Sequence, residues 1–297
     1  MKKRVQGSSQ GYVWVCLLGL SLSGVTAAAQ AQPISDRPEA AVKQDEEAGR
    51  WLMTQMGLLE SLRQMPEQLE LGLQQAQAQG MPPELAKLVL RSGREVYDLK
   101  QLEPQALALL LKSLGSEHLQ AWTVFYETPL GQKVALADIE GNSARTTAFV
   151  FENAPKIMAE LATDSARLAL VQSVVDATQF LDRAVAISMT QALAMEWAMV
   201  SAMPEQPGKP TFRELQDHVT GQRFVVRGQM AQLVLAHTAH VHKDLTTVEL
   251  QQLLAQALSP SGQALFRDFG QAFEQWMKRY AQRLGQSISQ ALNKQGA

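Results

Sequence analysis

Three histidines lie close together in this chain: His237, His240 and His242. A step of three on a helix puts His237 and His240 on one face, and imidazole nitrogens bind transition metals. Such a site needs a third or fourth ligand, for which Asp244 or His218 is in reach. The spacing is a weak signal, because His-Glu-x-x-His is absent and polar residues commonly close a helix. Met195, Met199 and Met203 recur at steps of four, with Met189 nearby. Thioethers bind Cu(I), but these four share the most apolar stretch of the chain with Trp197, where filling a core is the simpler role. Glu196 interrupts that stretch. Burial would raise its pKa and make it an acid or base, or it pairs with Arg183 or Arg167. A Gly-x-Ser-x-Gly elbow, a phosphate loop and a dinucleotide fingerprint are all missing. Gly131-Gln132-Lys133 lacks the upstream glycine of a phosphate loop. No catalytic residue and no cofactor follow from these patterns.

The elements that would hold such residues are punctuated by a phrase that occurs twice. Thr128-Pro129-Leu130-Gly131-Gln132 returns 131 positions later as Ser259-Pro260-Ser261-Gly262-Gln263. Thr128 and Ser259 are placed as helix N-caps, with Pro129 and Pro260 at the first helical position. Gly131 and Gly262 then fall third in their helices, where glycine costs ~0.5–1 kcal/mol relative to alanine. A glycine repeated at that cost predicts a close crossing, where a Cβ would strike the preceding helix. The match runs backward without a gap: Leu119 faces Leu250, and Trp122 faces Leu253. It weakens where Phe125 and Tyr126 face Gln256 and Ala257.

The N-terminus reads as a secretory leader over residues 1–31. Lys2, Lys3 and Arg4 precede an apolar run from Tyr12 to Val25, and Ala29-Gln30-Ala31 is a cleavage pattern. The run is shorter than the ~20 residues that span a bilayer. Cleavage removes Cys16, the one cysteine, so the mature chain of about 265 residues has no disulfide available in an oxidising compartment. Stability then rests on apolar burial, for which 46% hydrophobic residues suffice. The leader carries three positive charges and no negative one, so its loss moves the net charge from −2 to −5. That balance argues against nucleic acid as a partner. Residues 32–45 lack an apolar period and read as a flexible tether.

From Glu46 onward the pattern is helical. One helix is expected to Met65, with Pro66 opening the next and Gly80 closing it. Pro82-Pro83 and Pro104 open two more, and Gly115 and Ser116 separate a fifth that reaches Glu127. Long helices are expected over residues 129–153, with Pro155 as a break or kink, and 165–203. The latter is apolar nearly all round and belongs at the centre. Pro204, Pro207, Gly208 and Pro210 form a loop. A last amphipathic helix from Pro260 to Asn293 carries Phe266, Phe269, Phe273, Met277, Tyr280, Leu284, Ile288 and Leu292 on one face. Lys278, Arg279 and Arg283 lie beside these aromatics, a pattern compatible with docking or a membrane surface.

The stretch Leu119 to Lys133 resembles the hallmark of the DUF2059 family: an aromatic pair (Phe125, Tyr126), a Thr-Pro step (Thr128, Pro129), then Gly131 and the polar pair Gln132 and Lys133. Leu250 to Leu265 keeps the Ser-Pro-x-Gly-Gln core. The resemblance implies an exported bacterial protein of helical fold and transfers no catalytic residue. The expected molecule is an all-α helical bundle of two related modules, residues 46–164 and 165–295, with long central and C-terminal helices. The expected role is non-catalytic and periplasmic: binding an envelope protein, a peptide or an apolar ligand in an interhelical groove, with Trp122, Phe125 and Tyr126 as candidate contacts. A metal-binding protein or metal-dependent enzyme using His237, His240 and His242 is the alternative.

Overall fold

The computed structural model describes residues 39–78, 80–201 and 207–295. The expected leader, the tether before residue 39, and Met203 and Pro204 lie outside the described residues. Within these ranges the chain is an all-α bundle without a strand. Its first helix, α1 (Glu39–Gln55), starts earlier than the sequence predicts: residues 39–45, expected in the tether, are helical. Of residues 40–45 three are exposed and three half-buried, so no apolar period marks this turn. The Asp45 carboxylate accepts from the Ser116 hydroxyl at 2.7 Å, which ties this turn down.

Helix boundaries follow caps and backbone turns more than prolines. Between α1 and α2 (Leu58–Ala78) the chain turns at Gly57, with φ +66°. A Cβ there would crowd the Asp138 carbonyl, so the position requires glycine on steric grounds as well. Pro66 therefore lies inside α2, where it was expected to open a helix. Next come α3 (Pro83–Val96) and α4 (Leu99–Glu127), the latter capped by Asp98, which accepts from the Lys100 N–H. Pro104 is again interior, while Gly115 kinks α4 with φ +63° and ψ 173°. The expected long helix over 129–153 is two, α5 (Pro129–Gly141) and α6 (Ala144–Leu161). Ser143 caps α6, and Pro155 sits within it without ending it. The expected helix over 165–203 is also two, α7 (Ser165–Ala177) and α8 (Phe180–Ser201), parted at Gln179 with φ +47°. Then come α9 (Phe212–Gly221), α10 (Arg223–Val241) and α11 (Thr247–Leu258). A run of α12 (Pro260–Gln263), a π-helical turn (Ala264–Phe269) and α13 (Gly270–Gln295) completes the order.

The two repeated phrases form the same corner. Thr128 and Ser259 have φ/ψ of −71°/156° and −64°/162°. The Thr128 hydroxyl accepts from the Gly131 N–H at 2.9 Å and donates to the Phe125 carbonyl at 2.7 Å. Ser259 accepts from Gly262 at 3.0 Å and donates to Gln256 at 2.7 Å. A Cβ on Gly131 would land on the Phe125 carbonyl oxygen, and one on Gly262 on that of Gln256. The close crossing predicted from the glycine cost is what these residues permit. Beyond the corners the chain differs, since α5 ends at Gly141 whereas the second corner passes through the π turn into α13.

The main apolar core draws on residues either side of 165. Leu52, Leu110 and Trp122 share it with Leu250, Phe269, Phe273 and Ile288. The Trp122 indole N–H donates to the Ser261 carbonyl at 2.8 Å, fastening α4 to the second corner. The α13 stripe is buried, packed on α3 and α8. The helix expected at the centre, α8, is only half-buried over its last turns. It packs on α13, α10 and α9, and Trp197 is 36% exposed. Smaller apolar clusters join α6, α7, α8 and α10.

Candidate functional site

Two places in this bundle gather polar side chains against apolar walls. The first is a small chamber of about 50 Å³ between α4, α5, α10 and the π turn. Trp122 and Tyr126 of α4 form one wall, Asp138 of α5 another, and His237 of α10 with His242, just past its end, a third. The His237 Nε2–H donates to the Gly141 carbonyl at 3.1 Å, and the His242 Nδ1–H to Thr238 at 3.1 Å. That leaves His242 Nε2 as an acceptor, 3.7 Å from Asp138 Oδ1. Burial pushes the Asp138 carboxyl up to about 8 and pulls His242 down to about 4. Burial also lowers His237 and, with Asp138 nearby, raises Tyr126 well above its ordinary range. The separation would suit an ion pair, but an apolar surround favours the uncharged forms, so a neutral acid faces a neutral imidazole. The volume admits water and excludes a substrate.

The residues singled out in the sequence divide among this chamber, the apolar clusters and the surface. Trp122 and Tyr126 are buried, and Phe125 is half-buried, stacked edge-on against both at 5.4 and 5.3 Å. His237 and His240 do not share a face toward one ion. His237 turns inward toward Phe180, whereas His240 lies over the Phe149 ring at 4.8 Å. His218, exposed on α9, bonds to Gln222 just past that helix. Among the described residues, no three His, Cys, Asp or Glu side chains are placed to hold a metal ion. Met195 packs on the main core, and Met189 joins a smaller apolar cluster. Glu196 is half-buried, with its pKa raised by burial, and pairs with neither expected arginine. Arg167 instead donates to the carbonyls of His242, Lys243 and Leu245. Asp138 is the chamber residue that the motif search missed. Its signal is positional, since it stands four residues from Val134 and three from Ala135, on the buried face of α5.

The second place is an open groove of about 730 Å³ between α8, α9 and α13. Its apolar part comes from Ala186, Met189, Leu193 and Phe212. Phe212 is 43% exposed and meets Trp197 edge-on at 5.3 Å. Its polar part comes from Asp182, Arg183, Arg223, Glu274 and Lys278. Asp182 pairs with Arg227, and Glu274 with Lys278 at 2.7 Å. Arg183 is 4% exposed and lies across Gly270, where a Cβ would collide with the guanidinium. Its Nη2 donates to the Phe266 carbonyl in the π turn at 3.2 Å, while Nε and Nη1 have no acceptor.

No family model matches the chain, and no curated protein or solved structure matches it either. Among the described residues no helix is long and apolar enough to cross a membrane. Two of the three cations beside the α13 aromatics have local partners: Lys278 holds Glu274, and Arg283 lies over the Tyr280 ring at 5.1 Å.

Proposed function

We propose that this protein is a non-catalytic binding protein that holds a peptide or an apolar ligand in the groove between α8, α9 and α13. The volume of that groove, about 730 Å³, carries the reading. It falls within the range of ~300–1,000 Å³ typical of ligand sites, and it combines apolar walls with a few charged groups. Trp122, Phe125 and Tyr126 then serve the binding site indirectly, as core that anchors the second corner to α4. The basic, apolar and small-residue order of the N-terminus supports export to the periplasm, where an envelope partner or ligand would be met. The matching corners support two modules related by duplication. The Phe125 to Lys133 motif remains the basis for placing the chain near the DUF2059 family.

The experiment is a fluorescent apolar reporter, N-phenyl-1-naphthylamine, titrated into the purified mature protein. Saturable binding is expected, and Leu193→Arg, which projects a charge into the groove wall, is expected to abolish it. A reporter that does not bind, or that binds the variant equally well, refutes the groove as the site.

A further inference from the structure

The groove has a polar end and an apolar end. Phe212 at the start of α9 meets Trp197 late in α8, while Arg227, just past Arg223 on α10, pairs with Asp182 early in α8. Arg223 therefore lies at the Arg183 end. From Arg183, the groove-lining residues Ala186, Met189 and Leu193 follow at steps of three or four along one face of α8. At 1.5 Å per residue that face runs ~15 Å from the buried cation to Leu193. Building on the groove reading above, we propose that the occupant is an amphipathic molecule with a single carboxylate, its head beside Arg183 and Arg223 and its apolar chain along Met189, Leu193 and Phe212.

The charges select the head group. Among the lining side chains, Lys278 pairs with Glu274, and Arg227 beside the groove pairs with Asp182, which leaves Arg183 and Arg223 uncompensated and favours an anion. Both carboxylates already have cationic partners, and among the described residues Arg223 has no ion pair. Arg183 is left with one carbonyl for a charged group of five N–H donors. Burial lowers its pKa to about 9, with Glu274 countering in part. A guanidinium so placed gains from an anion at short range. Arg183 lines the groove, and its two open nitrogens are buried beside Gly270. The two oxygens of one carboxylate match the two guanidinium groups left uncompensated, Arg183 and Arg223.

The test is displacement of N-phenyl-1-naphthylamine from the mature protein by dodecanoate, dodecanol, dodecyl phosphate and dodecyltrimethylammonium. Dodecanoate is expected to displace at about tenfold lower concentration than dodecanol, the worth of one charge-assisted hydrogen bond. That preference should vanish in Arg183→Gln and shrink in Arg223→Gln, the second variant lying on the rim and sparing the fold. Equal displacement by dodecanol, or tighter binding of dodecyl phosphate or the ammonium, overturns the carboxylate and leaves the groove reading standing. A wild-type preference unchanged in both variants overturns the placement of the head. If the reporter itself does not bind, both readings fall together.

Discussion

Asp138 and His242 oppose each other in pH dependence. The Asp138 carboxyl, at about 8 in the fold and 3.8 when unperturbed, keeps a proton that the unfolded chain releases. Its contribution is full at low pH and is lost as pH rises toward 8. His242, at about 4 in the fold against 6.5, contributes above 6.5 and loses that contribution as pH falls toward 4. The two slopes offset each other between these values, and Asp138 acts alone from pH 6.5 to 8. Unfolding free energy is expected to decline over that interval by up to ~1.4 kcal/mol per pH unit. Asp138→Asn, which keeps the shape and removes the proton, should flatten the decline in urea titrations at several pH values. A slope that survives the substitution refutes the neutral-acid assignment. The sequence concealed this residue because a lone aspartate in a helix matches no motif, and its chamber is assembled from four distant segments. The histidines were visible, but their spacing alone did not reveal that His237 turns to Phe180 and His240 to Phe149.

Among the helices, the corners were the most legible feature because cap, proline and glycine act within five residues of one another. Gly131→Ala and Gly262→Ala each place a methyl against a backbone carbonyl that cannot yield. Each is expected to destabilise by ~2–3 kcal/mol, at the upper end of ordinary overpacking. Gly115→Ala meets no atom within 4 Å and should cost ~1–3 kcal/mol through backbone strain alone. Denaturant midpoints of the three variants test this, and a neutral Gly262→Ala would contradict the crossing. Proline was a poorer guide. Pro66, Pro104 and Pro155 lie inside helices whose true ends are set by Gly57, Asp98 and Ser143. A proline removes one N–H, and a helix anchored by tertiary packing tolerates that loss. The break at Gln179 had no local signal, since a left-handed glutamine is dictated by the surrounding fold.

For the molecule as a whole, the shared core implies one cooperative unit. Circular dichroism and tryptophan fluorescence should report coincident unfolding, because Trp51, Trp122 and Trp276 all belong to or pack on the same apolar cluster. Two separate transitions would contradict that. Helical content and the C-terminal aromatic stripe were readable from periodicity, whereas the groove was not, because it depends on how α8, α9 and α13 lie side by side. The π turn at Ala264–Phe269 has a consequence for that arrangement. It acts as a phase shifter in an otherwise regular rod. Deleting one residue there would rotate the downstream barrel of side chains by ~100° about its axis. Phe273, Trp276 and Tyr280 would then swing toward water, and the wall carrying Glu274 and Lys278 would turn away from α8.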